Sequence, residues 1–310
     1  MKSMPQNKDI VVLLGGWSAE REVSLVSGKA IADALEARGH KVRRVDVTRD
    51  LEKLLADLTP KPDVAFNALH GQGGEDGVIQ GVLEMLDIPY THSGIAASAI
   101  AMKKPDSKRI ASAAGLNVAE AQVLTKAEIM AGEITLEAPY VIKPAAEGSS
   151  VGVSIIKPGQ NDLKLAHGDD DTMYLVEKFI PGHELTVGVM GDRALTVTEI
   201  FHEEGFFDYL AKYTAGKATH VIPAQIPKEI ETAAMEHALA IHRALDCRGI
   251  SRTDFRWDDT KPGTEGLIFL EINTQPGFTP VSLVPEQADH IGIPFGELCE
   301  WILEDALCRV

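Results

Sequence analysis

Cysteine is scarce in this chain. Cys247, Cys299 and Cys308 are the only three among 310 residues, an odd number without CxxC spacing, so neither a disulfide framework nor a cysteine zinc set is expected. They read as reduced packing thiols of a cytoplasmic protein. Long apolar runs are missing too. The run nearest the start, Ile10 to Leu14, stops at two glycines and is too short for a signal-peptide core or a membrane span, so it reads as a buried first strand. No low-complexity segment, internal repeat or long block of like charge is present, which argues against a disordered or solenoid chain. Basic charge is in deficit. With 30 Lys and Arg against 46 Asp and Glu, the formal charge of -16 argues against a nucleic-acid surface, which needs a basic face, and any anionic ligand must be met by local lysines and arginines. The Walker order GxxxxGK[ST] is absent, and Gly15-Gly16 is not the start of a GxGxxG dinucleotide fingerprint.

What the chain does have is 45% hydrophobic and 25% charged residues, the balance of a soluble globular protein, in a length that allows two or three domains. One stretch organises it. Tyr140-Val-Ile-Lys143-Pro-Ala-Ala-Glu147-Gly148-Ser149-Ser150-Val-Gly152 is a short strand that delivers a lysine to the mouth of a small-residue loop. Glycines let backbone N–H groups face a ligand, serines add donors and Lys143 adds a point charge, a combination suited to a polyphosphate. Read alone, the same residues also fit an ordinary hairpin turn with a solvated lysine.

A second stretch lies far downstream. In Leu267-Ile-Phe-Leu-Glu271-Ile-Asn273, alternation turns Leu270 and Ile272 one way and Glu271 and Asn273 the other. A hairpin centred on Pro262 would set Asp254, in the strand Arg252 to Trp257, opposite Glu271. Two carboxylates and an amide oxygen would then converge, a hard oxygen set suited to Mg2+. A solvated polar strand face is the other reading of these three residues.

The N-terminal part alternates strand and helix: Ile10 to Leu14, a helix from Glu20 to Leu35 stopped by Gly39, a strand from Val42 to Val47, a helix over Leu51 to Leu58 and a strand from Val64 to Asn67. This pattern predicts a parallel sheet with helices on both faces, its functional loops at the strands' carboxyl ends. Glu20 and the His70-Gly-Gln-Gly-Gly-Glu75 loop fall there. Alone, Glu20 would serve the helix dipole, worth about 0.3 to 1 kcal/mol, and His70 would be a hydrogen-bonded loop residue. Lys104 to Ala114 reads as a helix opened by Pro105, Leu185 to Val197 as strand, and Phe206 to Gly216 as a lid. Pro227 to Leu245 carries the clearest helical stripe, through Ile230, Ala234, Ala238 and Ile241, and a final helix starts at Phe295 with Leu298, Ile302 and Ala306 as its apolar face.

Seven segments in order, GGWSAEREVSLVSG, HGQGGEDG, VIKPAAEGSSVG, EKFIPGHELTV, DYLAKY, RTDF and LEINTQPGFT, resemble the D-alanine–D-alanine ligase family of the ATP-grasp superfamily from about residue 10 onward. The resemblance implies an α/β chain with the ATP-grasp fold: a Rossmann-like parallel-sheet domain over residues 1–115, then two α+β subdomains, 116–183 and 184–310, that clamp ATP. It implies ATP-dependent joining of two D-alanines for peptidoglycan precursor synthesis, through an acyl phosphate. Such phosphoryl transfer needs positioning and charge neutralisation rather than a protein nucleophile.

By that resemblance Lys104 and Lys143 hold the phosphates of ATP, the Glu147 to Gly152 loop with Ser150 closes over them, and Lys212 reaches the γ-phosphate. Glu177, Lys178, Phe179 and Ile180 line the adenine, and Glu184 takes the ribose. Asp254, Glu271 and Asn273 ligate two Mg2+, with Mn2+ as a substitute. Glu20 and His70 bind the first D-alanine, Glu20 forming a trio with Ser149 and Tyr213; Ser282 and Leu283 bound the second; Arg252 and the Gly277 N–H form the oxyanion hole. A homodimer is the family's common assembly, and no nucleic-acid or membrane partner is implied. Relatives often carry an acid where Lys103 stands and a tyrosine where Phe207 stands, so the phosphate-facing lysine and the lid are the points of departure. Depsipeptide ligases that use D-lactate commonly carry histidine at the place of Tyr213, which favours the dipeptide product. D-Serine acceptance, another carboxylate–amine ligase and a nucleotide-binding regulator are the competing functions; retention of Asp254, Glu271, Asn273, Lys212 and Arg252 together weighs against the last.

Overall fold

The computed structural model describes residues 7–148, 152–160, 165, 168–202 and 218–308. Its first strand, β1 (Asp9–Gly15), lies between β2 (Lys41–Val47) and β3 (Val64–Asn67), parallel to both. Ile10 to Leu13 are fully buried, as a strand covered on both faces requires. The crossovers are α1 (Arg21–Ala37) and α2 (Leu51–Asp57), the latter capped by Asp50, whose carboxylate accepts from the Lys53 N–H. This is the βαβαβ order that the periodicity predicts. Helices α3 (Val78–Met85), α4 (Ile95–Met102) and α5 (Lys104–Ala113) follow, with Pro105 in the first turn of α5.

A four-stranded antiparallel sheet comes next, in the order β5 (Ala121–Thr125), β8 (Met173–Lys178), β6 (Tyr140–Pro144), β7 (Ser154–Ile156). The short helix α6 (Lys126–Met130) covers it. Thr125 and Glu128 close a reciprocal capping box at its start, and Ile129 enters the core of Ile142, Tyr174 and Val176.

The third sheet has six strands, in the order β11 (Ala218–Val221), β10 (Arg193–His202), β9 (His183–Met190), β12 (Ile250–Trp257), β13 (Leu267–Asn273), β4 (Asn117–Val118). The segment read as continuous strand from Leu185 to Val197 is in fact a hairpin, because the chain reverses between Met190 and Arg193. Ile230, Ala234, Ala238 and Ile241 of α7 (Lys228–Ala244) pack on this sheet together with Ala101 of α4 and Ala111 of α5. The last helices, α8 (Leu283–His290) and α9 (Phe295–Glu304), return to the first sheet: Leu298 and Ile302 share a core with Ile10, Ile31 and Leu35. Ala306 packs against that core from beyond the end of α9. Among the described residues no helix is long and apolar enough to cross a membrane.

Candidate active site

The β12–β13 ladder sets Asp254 opposite Glu271, as the hairpin reading requires. The register then slips: Phe255 pairs with Phe269, leaving Leu270 as an extra residue. Simple alternation would put Leu270 on the core side. The bulge instead lets Phe269 and Ile272 both enter the core while Leu270 is only half-buried. Glu271 and Asn273 are turned the other way. Asp254 is buried and holds three hydrogen bonds, from Arg252 Nε at 2.9 Å and Nη2 at 2.8 Å and from Thr186 Oγ1 at 2.5 Å. Among the described residues no group of three or more His, Cys, Asp or Glu could hold a metal ion, so the oxygen set here is two carboxylates and the Asn273 amide.

Helix α5 enters the same region with two lysines on one face, Lys104 and Lys108, at i and i+4. The Lys104 N–H donates to Ala145 O at 2.9 Å, its ammonium donates to the Glu147 carbonyl, and Glu271 Oε2 lies 3.3 Å away. Lys103 is exposed and Lys104 buried, so Lys104 is the lysine turned inward. Lys143, on β6, and Glu177, on β8, are diagonal neighbours on one sheet face, because Val141 pairs with Glu177. One Glu177 oxygen is ion-paired with Lys143, and the other is 2.8 Å from Lys108 Nζ. Glu177 is 3% exposed. Burial alone would push its carboxyl up, but the two ammonium groups prevail and bring it down to about 2. Burial pushes the Lys108 ammonium below its ordinary value against the pull of Glu177. At Lys143 burial acts the same way, yet Glu177, Glu271 and Glu184 together outweigh it and raise the group.

Lys108 is a residue that motif reading missed. Its signal was the i, i+4 pair of lysines in KKPDSK, on a helix too polar to bury them without counter-charges. Arg256 is a second. It pairs in register with Glu184, its Nη1 3.6 Å from the carboxylate, and donates to Ile180 O at 3.1 Å and Gly182 O at 2.7 Å, fixing the turn between β8 and β9. The N–H groups of Lys178 and Phe179 donate to the carbonyls of Glu120 and Pro139.

Glu20 sits at the start of α1 without capping it, and it is buried. Its carboxylate lies against two loops. A Cβ on Gly71, whose φ is +70°, would come within 2.7 Å of Glu20 Oε2, so only glycine fits there; one on Gly148 would come within 3.2 Å. Ser18 Oγ donates to His70 O at 2.6 Å and accepts from the Glu20 N–H at 3.1 Å, joining the two N-terminal loops. Both ring nitrogens of His70 have protein partners, Glu75 at 3.1 Å and Ser27 at 3.2 Å. On the opposite side Ser282 Oγ bonds Thr279 N and Oγ1, each at 2.9 Å, and lies beside Gly277; Leu283 begins α8. Buried Gln275 ties the two sides: Asn67 Nδ2 donates to its Oε1 at 2.7 Å, its amide donates to Leu69 O, and its N–H donates to Asn273 Oδ1 at 2.9 Å.

Ser149, Ser150, Phe207, Lys212 and Tyr213 lie outside the described residues. Four of the others are joined in one line: Glu20 lies against Gly148, the adjoining Glu147 carbonyl accepts from Lys104, and Lys104 is ion-paired with Glu271. A carboxylate able to hold an ammonium group therefore adjoins a lysine-lined loop able to hold phosphates, which in turn adjoins the paired acids.

Two family descriptions match the chain, D-ala D-ala ligase N-terminus over residues 52–93 and D-ala D-ala ligase C-terminus over residues 110–304. A protein of Chelativorans sp. (strain BNC1) named D-alanine–D-alanine ligase is 53% identical over 308 residues, 98% of this chain and 99% of its own length. One of the same name from Rhizobium meliloti (strain 1021) is 53% identical over 97% of this chain and 99% of its own. Among solved structures, the D-alanine–D-alanine ligase of Bacillus anthracis complexed with ATP aligns with a TM-score of 0.78 at 31% identity, covering 97% of each chain. The VanG D-Ala:D-Ser ligase of Enterococcus faecalis aligns with a TM-score of 0.78 at 30% identity, covering 96% of this chain and 99% of its own.

Proposed function

The chain belongs to the D-alanine–D-alanine ligase family, and we propose that its site performs the family's reaction with the residues assembled between Glu20 and Glu271. The reaction joins two D-alanines at the expense of ATP, for peptidoglycan synthesis. The observation that carries the assignment of residues is the placement of the Glu147-Gly148 loop, with Glu20 on one side and Lys104 on the other.

Lys104 and Lys143 hold the nucleotide phosphates, and Glu184, fixed by Arg256, takes the ribose hydroxyls. Glu20 accepts the ammonium of the first D-alanine, which turns that substrate's carboxylate toward the γ-phosphate. Phosphoryl transfer gives an acyl phosphate. The amine of the second D-alanine, bounded by Ser282 and Leu283, attacks the acyl carbon, loses a proton and expels inorganic phosphate. Arg252 and the Gly277 N–H donate to the oxygen that becomes negative in that step. His70, expected beside the first D-alanine, has its ring nitrogens engaged by Glu75 and Ser27, and its carbonyl, which accepts from Ser18 Oγ, joins its loop to the one that carries Glu20. By the family resemblance Lys212, Tyr213, Ser149 and Ser150, which lie outside the described residues, would complete the site.

The donor set of Asp254, Glu271 and Asn273 fits Mg2+ in kind, because all three offer hard oxygens; Mg2+ would share the two carboxylates with the protein cations that hold them here, Arg252 and Lys104. Two Mg2+ ions there would neutralise charge on the β- and γ-phosphates. A homodimer is proposed by analogy with the family.

The test is release of ADP with Mg·ATP and D-alanine, run beside L-alanine, D-alanine with D-lactate and D-alanine with D-serine, with products identified by mass. ADP with D-alanine alone and a D-alanyl-D-alanine product is the expected result. Nucleotide binding without ADP release for any pair would overturn the assignment and withdraw Glu20, Tyr213 and Ser282 first.

A further inference from the structure

We propose that Lys108 is a positioning residue for nucleotide binding, acting through Glu177 to hold Lys143 at the mouth of the loop that follows Pro144. The inference rests on the reading of that loop as the phosphate site. Lys108 lies on α5, outside the sheet that carries Lys143. It reaches Glu177 from α5, 2.8 Å from the oxygen that Lys143 leaves open, and donates to the Phe269 carbonyl of β13 at 3.0 Å. Its ammonium also lies 5.8 Å from the centre of the Phe269 ring.

The arrangement has two consequences. Glu177 cannot rotate away from Lys143 without breaking its bond to Lys108, so the Lys143 ammonium is held in one place rather than sampling the flexibility of its stem. In addition, Lys108 links β13, two residues before Glu271, to the four-stranded sheet that carries Lys143. The acids that face the nucleotide from one sheet and the lysine that faces it from another are thereby kept in register. A purely structural ion pair would be complete with Lys143 and Glu177 alone. The two ammonium groups outnumber the Glu177 carboxylate between them, an imbalance that Glu271 and Glu184 meet in part and that is favourable beside a polyphosphate.

The experiment is equilibrium titration of Mg·ADP into the wild-type protein, Lys108→Met and Lys108→Arg, with KM for ATP and for D-alanine measured on each. Lys108→Met keeps the length and removes the charge. It is expected to weaken ADP binding and raise KM for ATP by about tenfold or more, while KM for D-alanine changes by less than about twofold, a split that marks lost nucleotide binding. Lys108→Arg, which keeps the charge, is expected to recover most of the loss. Should Lys108→Met not fold, Lys108→Gln takes its place, since it removes the charge but keeps an N–H donor for the Glu177 carboxylate and the Phe269 carbonyl and leaves the Lys143–Glu177 pair intact; it is expected to fold and still bind ADP at least about tenfold more weakly. Wild-type ADP affinity in either folded variant would overturn the proposal, as would equal losses for ATP and D-alanine without rescue by arginine. A wild-type protein that binds no nucleotide would overturn the reading of the site and this inference with it, whereas equal binding by wild type and variant overturns the inference alone.

Discussion

Replacing Arg252 by alanine separates binding from chemistry. The guanidinium is held by two bonds to one carboxylate, Nε to Asp254 Oδ1 at 2.9 Å and Nη2 to Oδ2 at 2.8 Å, so its direction is set before any substrate arrives. Loss of a preorganised donor to a developing oxyanion typically costs about 2.7 to 4 kcal/mol in the transition state, or roughly 10²- to 10³-fold in rate. A second effect runs alongside. Asp254 is buried and would keep the Thr186 hydroxyl but lose two charge-assisted bonds, each worth about 1.5 to 3 kcal/mol, so some loss of stability is expected. The two effects are told apart by single-turnover ADP release, dipeptide formation and ADP titration on the folded variant. Turnover should fall by about 100-fold or more while nucleotide affinity stays within about threefold. Arg252→Lys should lie between, since lysine keeps the charge but not the paired geometry. Equal losses in nucleotide affinity and turnover would refute the oxyanion role and leave Arg252 as the counter-ion of Asp254 alone.

Gly28→Ala sets helix propensity against packing: the new Cβ would lie 2.5 Å from Leu14 Cβ, so despite alanine's advantage of about 1 kcal/mol in a helix the variant should melt several degrees lower by calorimetry, and a higher melting temperature would refute the tight α1–β1 approach. Gln275→Ala leaves the Leu69 carbonyl without its side-chain donor, at about 1 to 3 kcal/mol, and takes one of the two acceptors of Asn67 Nδ2, which keeps the Gly74 carbonyl; it should raise KM for D-alanine more than KM for ATP, and an unchanged ratio in steady-state kinetics would remove its coupling role. Acid should destabilise the fold through two histidines kept neutral by burial, His92 pushed down to about 3 and His242 to about 4. Between those values and the ordinary 6.5 the unfolded chain binds the protons and the folded one does not, so stability is intact above about pH 6.5 and falls as pH drops through this window. From pH 7 to 5 the loss is about 2 kcal/mol per histidine, and His242→Gln should flatten the slope of denaturant stability against pH; an unchanged slope would contradict it.

Much of the fold was legible because its signals are local. The apolar run Ile10 to Leu14, the stripe of α7 and the turn residues between Trp257 and Leu267 gave, respectively, the central parallel strand, the helix on the large sheet and the pairing of Asp254 with Glu271. The bulge at Leu270 was not legible, since nothing in the alternation of Leu267 to Asn273 shows a slipped register. The hairpin of β9 and β10 was hidden in the same way, by two strand-like runs with a turn of only Gly191 and Asp192 between them.

The site divides along the same line. Lysines and acids that would touch ligand stand in motifs with small residues around them, and a motif can be read. The residues that hold them in place carry no motif, and their partners are remote: Thr186 is 68 positions from Asp254 and Asn67 is 208 from Gln275. Lys108 is the sharpest case. Its i, i+4 relation to Lys104 is plain in the sequence, yet which acid each lysine meets depends on where α5 lies. That is decided in part by β4, two residues long, which pairs Asn117 with Ile268 and Val118 with Phe269 and so brings the end of α5 onto β13. A strand of two residues has almost no periodicity to detect, so the element that aims the buried lysines at Glu271 and Glu177 is the one with the weakest signal in the chain.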